Sequence, residues 1–310
     1  MRSSQHTLSP QDFEKIFKEK LSLRVKNRIK KYNLKYADVT PVQRDACLKK
    51  IVSVLFSEGL MCSGEHRQPQ WEKGWGQNLA ELSSGNSKSA IKPHYFGKYP
   101  INRLMGEFIR PVSKNFEYNM LGVILDWLFD KYLKGYKNIY EFGCGTGHNL
   151  VRLRLFYPDA DLWGLDWARS SQALIKKYAL INSDKNLFAH KFDYFAPDNN
   201  FKLKSGSAVY TVASLEQIGS RYSAFVDYLL KNKPGLCIHV EPIAELLDEN
   251  NLMDYLSISY FKKRNYLCGY LSYLRDLESK GKLKIIKAKR SHIGSFFIEG
   301  YSVIIWAPAA

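Results

Sequence analysis

Asn138 to Arg154 reads NIYEFGCGTGHNLVRLR. A hydrophobic run carries an acid, Glu141, passes through Gly143, Gly145 and Gly147, and enters a helical pattern. Glycine permits positive φ and lets a ligand sit against bare backbone. The N–H groups and dipole at a helix start favour a carboxylate or phosphate there. A dinucleotide site with GxGxxG answers the same description, so the glycines alone decide little. Here the spacing is GxGxG, and Glu141 stands two residues before the first glycine, where a positively charged ligand gains from it.

Outward from this loop, β-type runs alternate with helical ones. The strand candidates are 138–142, 161–166, 186–192, 207–213 and 236–241, with helical stretches between them. That alternation implies βαβ crossovers and a mainly parallel sheet covered on both faces. The tail, KLKIIKAKRSHIGSFFIEGYSVIIWAP, has no helix between its two β-like runs, so one of them is expected to be antiparallel. A strong helix is expected over 113–134, capped by Ser113, and another over 250–278.

These features resemble the class I S-adenosylmethionine-dependent methyltransferases, over about residues 113–310. The resemblance implies a Rossmann-like seven-stranded α/β sheet with a C-terminal antiparallel strand, and S-adenosyl-L-methionine as cofactor. Glu141, Gly143, Gly145 and Gly147 match the first motif. Asp166, closing the next strand, would accept the ribose hydroxyls, with Trp167 beside the adenine. Asp193 would accept the adenine amino group, with Phe192 or Tyr194 against the ring. Ser214, Leu215 and Glu216 would line the cleft near the methionine portion. Cys144 inside the loop has no partner to make it a nucleophile.

The resemblance implies methyl transfer, and the chain's task is then positioning and, for a hydroxyl acceptor, a base. Candidates at the carboxyl ends of strands four and five are Glu216, His239 and Glu241; the last two alternate with Val240 and share a face. A histidine satisfied within the sheet is the alternative for His239, and a capping role the alternative for Glu241. No [DN]PP[YF] follows strand four, which counts against a base-amino acceptor. No His/Asp cluster has metal-site spacing, so no metal is assigned.

Residues 1–112 read as a helical N-terminal extension with an acceptor-binding lid segment, and 113–310 as the cofactor domain. Ser9 caps a helix over 9–31 whose Phe13, Phe17, Leu21, Val25 and Ile29 recur every fourth residue. A second helix is expected after Val39–Pro41. From Gly59 to Pro111 periodicity fades, and SSGNSKS (83–89) reads as a flexible loop. The segment mixes aromatics with cations, and His94, Tyr95, Tyr99, Arg103 and Arg110 are the expected acceptor-binding residues. Guanidinium groups clamp carboxylates or phosphates bidentately, so a sugar or other small molecule bearing an anion suits them.

The 310 residues carry a net charge of +16. That excess suits acidic partners without choosing among them. An acidic glycan or small anionic acceptor is the first expectation, RNA or protein the second, and a non-catalytic cofactor-binding scaffold the third. The N-terminal helices could also pair with another subunit. No apolar run reaches the roughly 18 residues of a membrane span, and no secretory leader is evident, so a cytoplasmic protein is expected. The five cysteines lie far apart and read as reduced thiols.

Overall fold

The computed structural model describes residues 4–85 and 90–309. Five strands fall where the apolar runs place them: β5 (Asn138–Phe142), β6 (Asp161–Asp166), β7 (Leu187–Lys191), β8 (Ala208–Val212) and β9 (Leu236–Glu241). They pair in parallel in the order β9-β8-β5-β6-β7. The tail supplies β10 (Leu283–Lys289) and β12 (Ser302–Pro308); β12 pairs antiparallel with both β9 and β10. The sheet is thus seven-stranded, β10-β12-β9-β8-β5-β6-β7, with one strand reversed, as expected.

Helices cover both faces. Those that matter to the site are α4 (Gln68–Ser83), α5 (Phe116–Tyr132), α6 (His148–Arg154), α7 (Arg169–Ile181), α8 (Ser223–Asn232), α9 (Leu252–Arg264) and α10 (Tyr270–Ser279). Eleven residues of α5 are buried, so it is a core helix rather than an amphipathic one.

The N-terminal region departs from the expectation in three places. The helix over 9–31 is two, α1 (Pro10–Phe17) and α2 (Leu23–Ile29): Lys18 turns left-handed at φ 49° and the Glu14 carboxylate accepts the Leu21 amide at 2.9 Å. All five of its spaced apolar residues are nonetheless buried, Leu21 included, because the break keeps the same face inward. The second helix, α3, spans Pro41–Phe56 and is capped by Thr40. Part of the loop-like segment is the helix α4, obscured in the sequence because Gly74 and Gly76 dilute its pattern. Of the SSGNSKS stretch, residues 86–89 lie outside the described residues. Similarly 250–278 divides into α9 and α10, at Asn265 (φ 52°) and Gly269 (φ 73°).

A second sheet, also unanticipated, runs β1 (Gln5–Thr7), β2 (Lys35–Asp38), β4 (Glu107–Pro111), β3 (Asn102–Leu104) and β11 (Ile293–Gly294). It draws β11 from between the two tail strands, so the first and last parts of the chain share a sheet. They share a core as well: Phe17 stacks on Trp127 of α5 with ring centroids 4.4 Å apart. Beneath lies a buried ion cluster in which Asp126 accepts from Arg28 of α2 at 2.8 Å and Arg152 of α6 at 3.1 Å. Among the described residues no helix is long and apolar enough to cross a membrane.

Candidate active site

A cavity of about 590 Å³ opens at the carboxyl ends of the parallel strands, where such sheets bind ligands. Its floor is the loop between β5 and α6. Gly143 and Gly145 hold φ of 66° and 53°, and a side chain at either would collide: a Cβ on Gly143 falls 2.4 Å from Ser214 Cβ, and one on Gly145 falls 2.8 Å from the Trp75 ring. Gly147 has φ 76° and begins α6, but stands outside the cavity lining.

Glu141 is buried at the cavity wall and accepts from Asn149 Nδ2 at 2.7 Å and Tyr210 OH at 2.9 Å. Burial pushes its carboxyl up to about 8. Asp166 closes β6 and accepts the amides of Gly145 and Ala168, both at 2.9 Å; burial raises it to about 6. Trp167 lies beside it, tilted against Phe195 with centroids 5.9 Å apart. Tyr194 reaches the Ser214 hydroxyl at 3.0 Å. Glu141, Asp166, Trp167, Tyr194 and Ser214 all line the cavity. Asp193 does not: its carboxylate accepts the Phe195 amide at 2.9 Å, turning its own loop. That corrects the expectation that Asp193 faces the ligand.

These residues fit a nucleoside with a cationic amino-acid tail. Two acids, bare backbone and aromatic rings line the cavity, and on its wall the buried His148 Nε2 and Asn149 Oδ1 have no partner among the described residues. Orphaned buried atoms are rare and call for a ligand.

The three candidate bases separate. His239 is fully buried between β8 and β12, with Trp306 Nε1 donating to its Nε2 at 2.9 Å and Thr211 at 3.0 Å from its Nδ1. Burial lowers it to about 3, so it is a neutral structural imidazole outside the cavity, not a base at the site. Glu241 is also corrected: it accepts the amides of Ser214, Leu215 and Glu216 at 3.1, 3.1 and 3.2 Å and holds the turn after β8. Ala213, left-handed at φ 46°, is what aims that turn. Glu216 alone faces the cavity, its Oε1 held by Gln217 Nε2 at 2.8 Å; burial, then Glu241, raises it to about 8.

The expected acceptor residues separate too. Tyr95 and Tyr99 line the cavity. His94 stands at the surface, 3.0 Å from Glu81. Arg103 is buried behind the wall, donating to Met253 and Phe296 carbonyls and to Ser257. Arg110 projects from β4 outside the cavity. The cations that do line it are Arg67, Arg264 and Lys98. Arg67 and Trp75 were missed because the helix that carries Trp75 was missed. Trp71, Trp75, Leu79 and Leu82 at near-fourfold spacing, with Pro69 at a first turn, were the available signal.

The fold is a Rossmann-like α/β arrangement, a seven-stranded sheet with one strand reversed. Magnesium protoporphyrin IX methyltransferase from Synechocystis PCC 6803, with bound SAH, is similar at 14% identity over 63% of this chain and 83% of that one, with a TM-score of 0.45. Geranyl diphosphate C-methyltransferase from Streptomyces coelicolor A3(2), in complex with Mg2+, geranyl diphosphate and S-adenosyl-L-homocysteine, is similar at 11% identity over 76% and 98%, with a TM-score of 0.47. The small RNA methyltransferase HEN1 is similar at 14% identity over 66% and 28%, with a TM-score of 0.46. No family model matches the sequence, and no curated protein does.

Proposed function

We propose that this chain is an S-adenosylmethionine-dependent methyltransferase that methylates a hydroxyl on a small anionic acceptor, acidic sugars included. The observation that carries this is one continuous cavity with two differently built halves. The glycine loop, Glu141 and Asp166 make one half; Glu216, Arg67 and Arg264 make the other. S-adenosylmethionine supplies a methyl group already activated by its sulfonium. Glu141 and Asp166 hold the cofactor's polar groups, and Trp167 with Tyr194 hold its base. Trp71 and Trp75, stacked at 5.4 Å, exclude water from above. Glu216 is the proton acceptor for the hydroxyl.

Calorimetric titration with S-adenosylhomocysteine tests the cofactor half: micromolar binding is expected, and no binding sinks the proposal. A screen for S-adenosylhomocysteine release over acidic sugars, small hydroxy acids and RNA tests the other half. Release only on RNA would move the reading to the basic surface and away from Arg67 and Arg264.

A further inference from the structure

The acceptor half has a chemical signature of its own. Arg264, 8% exposed, gives Nη1 to the Met61 carbonyl and Nη2 to the Tyr266 hydroxyl at 3.4 Å, while its Nε has no partner among the described residues. Trp71 Nε1 is the second buried donor left over on this wall. The Arg67 guanidinium lies 5.3 Å from the centre of the Trp71 ring and within electrostatic reach of Arg264. A buried donor left unpaired costs about 1–3 kcal/mol, so two on one wall point to an acceptor group that arrives with a ligand.

Charge narrows the group. Arg67 and Arg264 both couple to a single carboxylate in the cavity, Glu216. The unpaired Nε belongs to a guanidinium, and a guanidinium N–H is best matched by an anionic oxygen. Two leftover donors match the two oxygens of a carboxylate. Aromatic surface lines the same cavity: Tyr260 and Phe297 stack with centroids 5.0 Å apart and planes 18° apart, suited to a ring. Gln217 sets the hydroxyl's place. Its Oε1 accepts from Arg67 Nη1 and Ser63 Oγ, both at 3.1 Å, so its Nε2 must be the end that holds Glu216 Oε1, which leaves Glu216 Oε2 for the substrate.

We infer that the acceptor is a ring-bearing hydroxy acid, its carboxylate held by Arg264 and Trp71 and its hydroxyl at Glu216. This rests on the methyltransferase reading above. Arg67 and Gln217 are positioning residues that aim Glu216.

The test uses full-length protein saturated with S-adenosylhomocysteine. It is titrated with 2-hydroxybenzoate, glucuronate, the neutral 2-hydroxybenzamide and inorganic phosphate, followed by calorimetry and tryptophan fluorescence. One of the two carboxylates is expected to bind at least about tenfold more tightly than the amide or phosphate, and which one tells an aromatic from a sugar ring. Arg264→Gln should weaken it by about 10- to 100-fold. Trp71→Phe keeps the ring and removes only the donor; it should cost about fivefold to tenfold with cofactor affinity unchanged, and it covers the case in which the arginine variant does not fold. The assignment is overturned if neither carboxylate binds, if the amide or phosphate binds as well, or if both folded variants bind like wild type. S-adenosylhomocysteine binding without any carboxylate binding would overturn this assignment alone, whereas loss of S-adenosylhomocysteine binding would take the methyltransferase reading with it.

Discussion

The carboxylate of Glu72 caps the helix that begins at Arg169, accepting the amides of Arg169 at 2.7 Å and Ser170 at 2.9 Å. A side chain from α4 thereby satisfies the open end of α7, which follows directly on Asp166 and Trp167. The same helix, α4, lays Trp75 against Gly145. One helix, α4, thus touches both the start of α7 and the glycine loop.

Glu72→Ala should therefore cost about 1 kcal/mol, the usual worth of a cap, and also loosen the lid. Chemical denaturation should read the first effect. Calorimetry should read the second as a severalfold loss of S-adenosylhomocysteine affinity. Unchanged affinity in a destabilised variant would mean the cap is structural only.

Gly143→Ala should abolish S-adenosylhomocysteine binding and Asp166→Ala should weaken it, by different routes. The alanine methyl at 143 meets Ser214 Cβ at 2.4 Å in a left-handed backbone, so this variant should also lose stability. Asp166→Ala releases two amides at the cavity wall and should bind at least about tenfold more weakly while remaining folded. Normal binding by folded Asp166→Ala would refute the site assignment.

Glu216 and Glu241 make stability and activity pull in opposite directions with pH. Their folded carboxyls are raised to about 8 and about 7, against 4.5 unfolded. A raised acid binds more protons folded than unfolded, so its contribution is whole below pH 4.5 and is lost as pH rises through 7 and 8. The ligand-free protein should thus be less stable at pH 8 than at pH 6, and Glu216→Gln should flatten that slope. Turnover, which needs Glu216 ionised, should rise across the same range. A wild-type slope retained in Glu216→Gln would show that other groups dominate.

His239→Ala should act on the fold rather than the chemistry. It leaves Trp306 Nε1 unpaired in the core, for a loss of about 1–3 kcal/mol. S-adenosylhomocysteine affinity of the folded fraction should stay within about twofold. A stable variant with reduced turnover would restore His239 as a catalytic group.

The contrast between His239 and Glu216 shows what the sequence could carry. Alternation along β9 placed His239 and Glu241 on one face, but a strand in the middle of a covered sheet buries both faces, and here that face belongs to the core. The strands around Glu141 and Asp166 were legible because their apolar runs are unbroken and the glycines mark the turn. The segments 60–111 and 250–278 were legible as flanking the proposed acceptor half, but not its arginines, since Arg67 and Arg264 are joined only by tertiary packing. Arg103 illustrates the converse: a cation in an aromatic-rich segment, turned away and held by three hydrogen bonds behind the wall.

The pairing of Ile293 with Leu104 and of Gly294 with Arg103 has a consequence for synthesis. The second sheet cannot be completed until β11 leaves the ribosome, roughly 190 residues after its partner strand, a wait of about 10–40 s at ordinary elongation rates. During that interval Phe108 and Leu104, buried in the finished protein, have no complete sheet to enter. Until then the nascent N-terminal region carries apolar side chains whose final burial awaits the end of the chain.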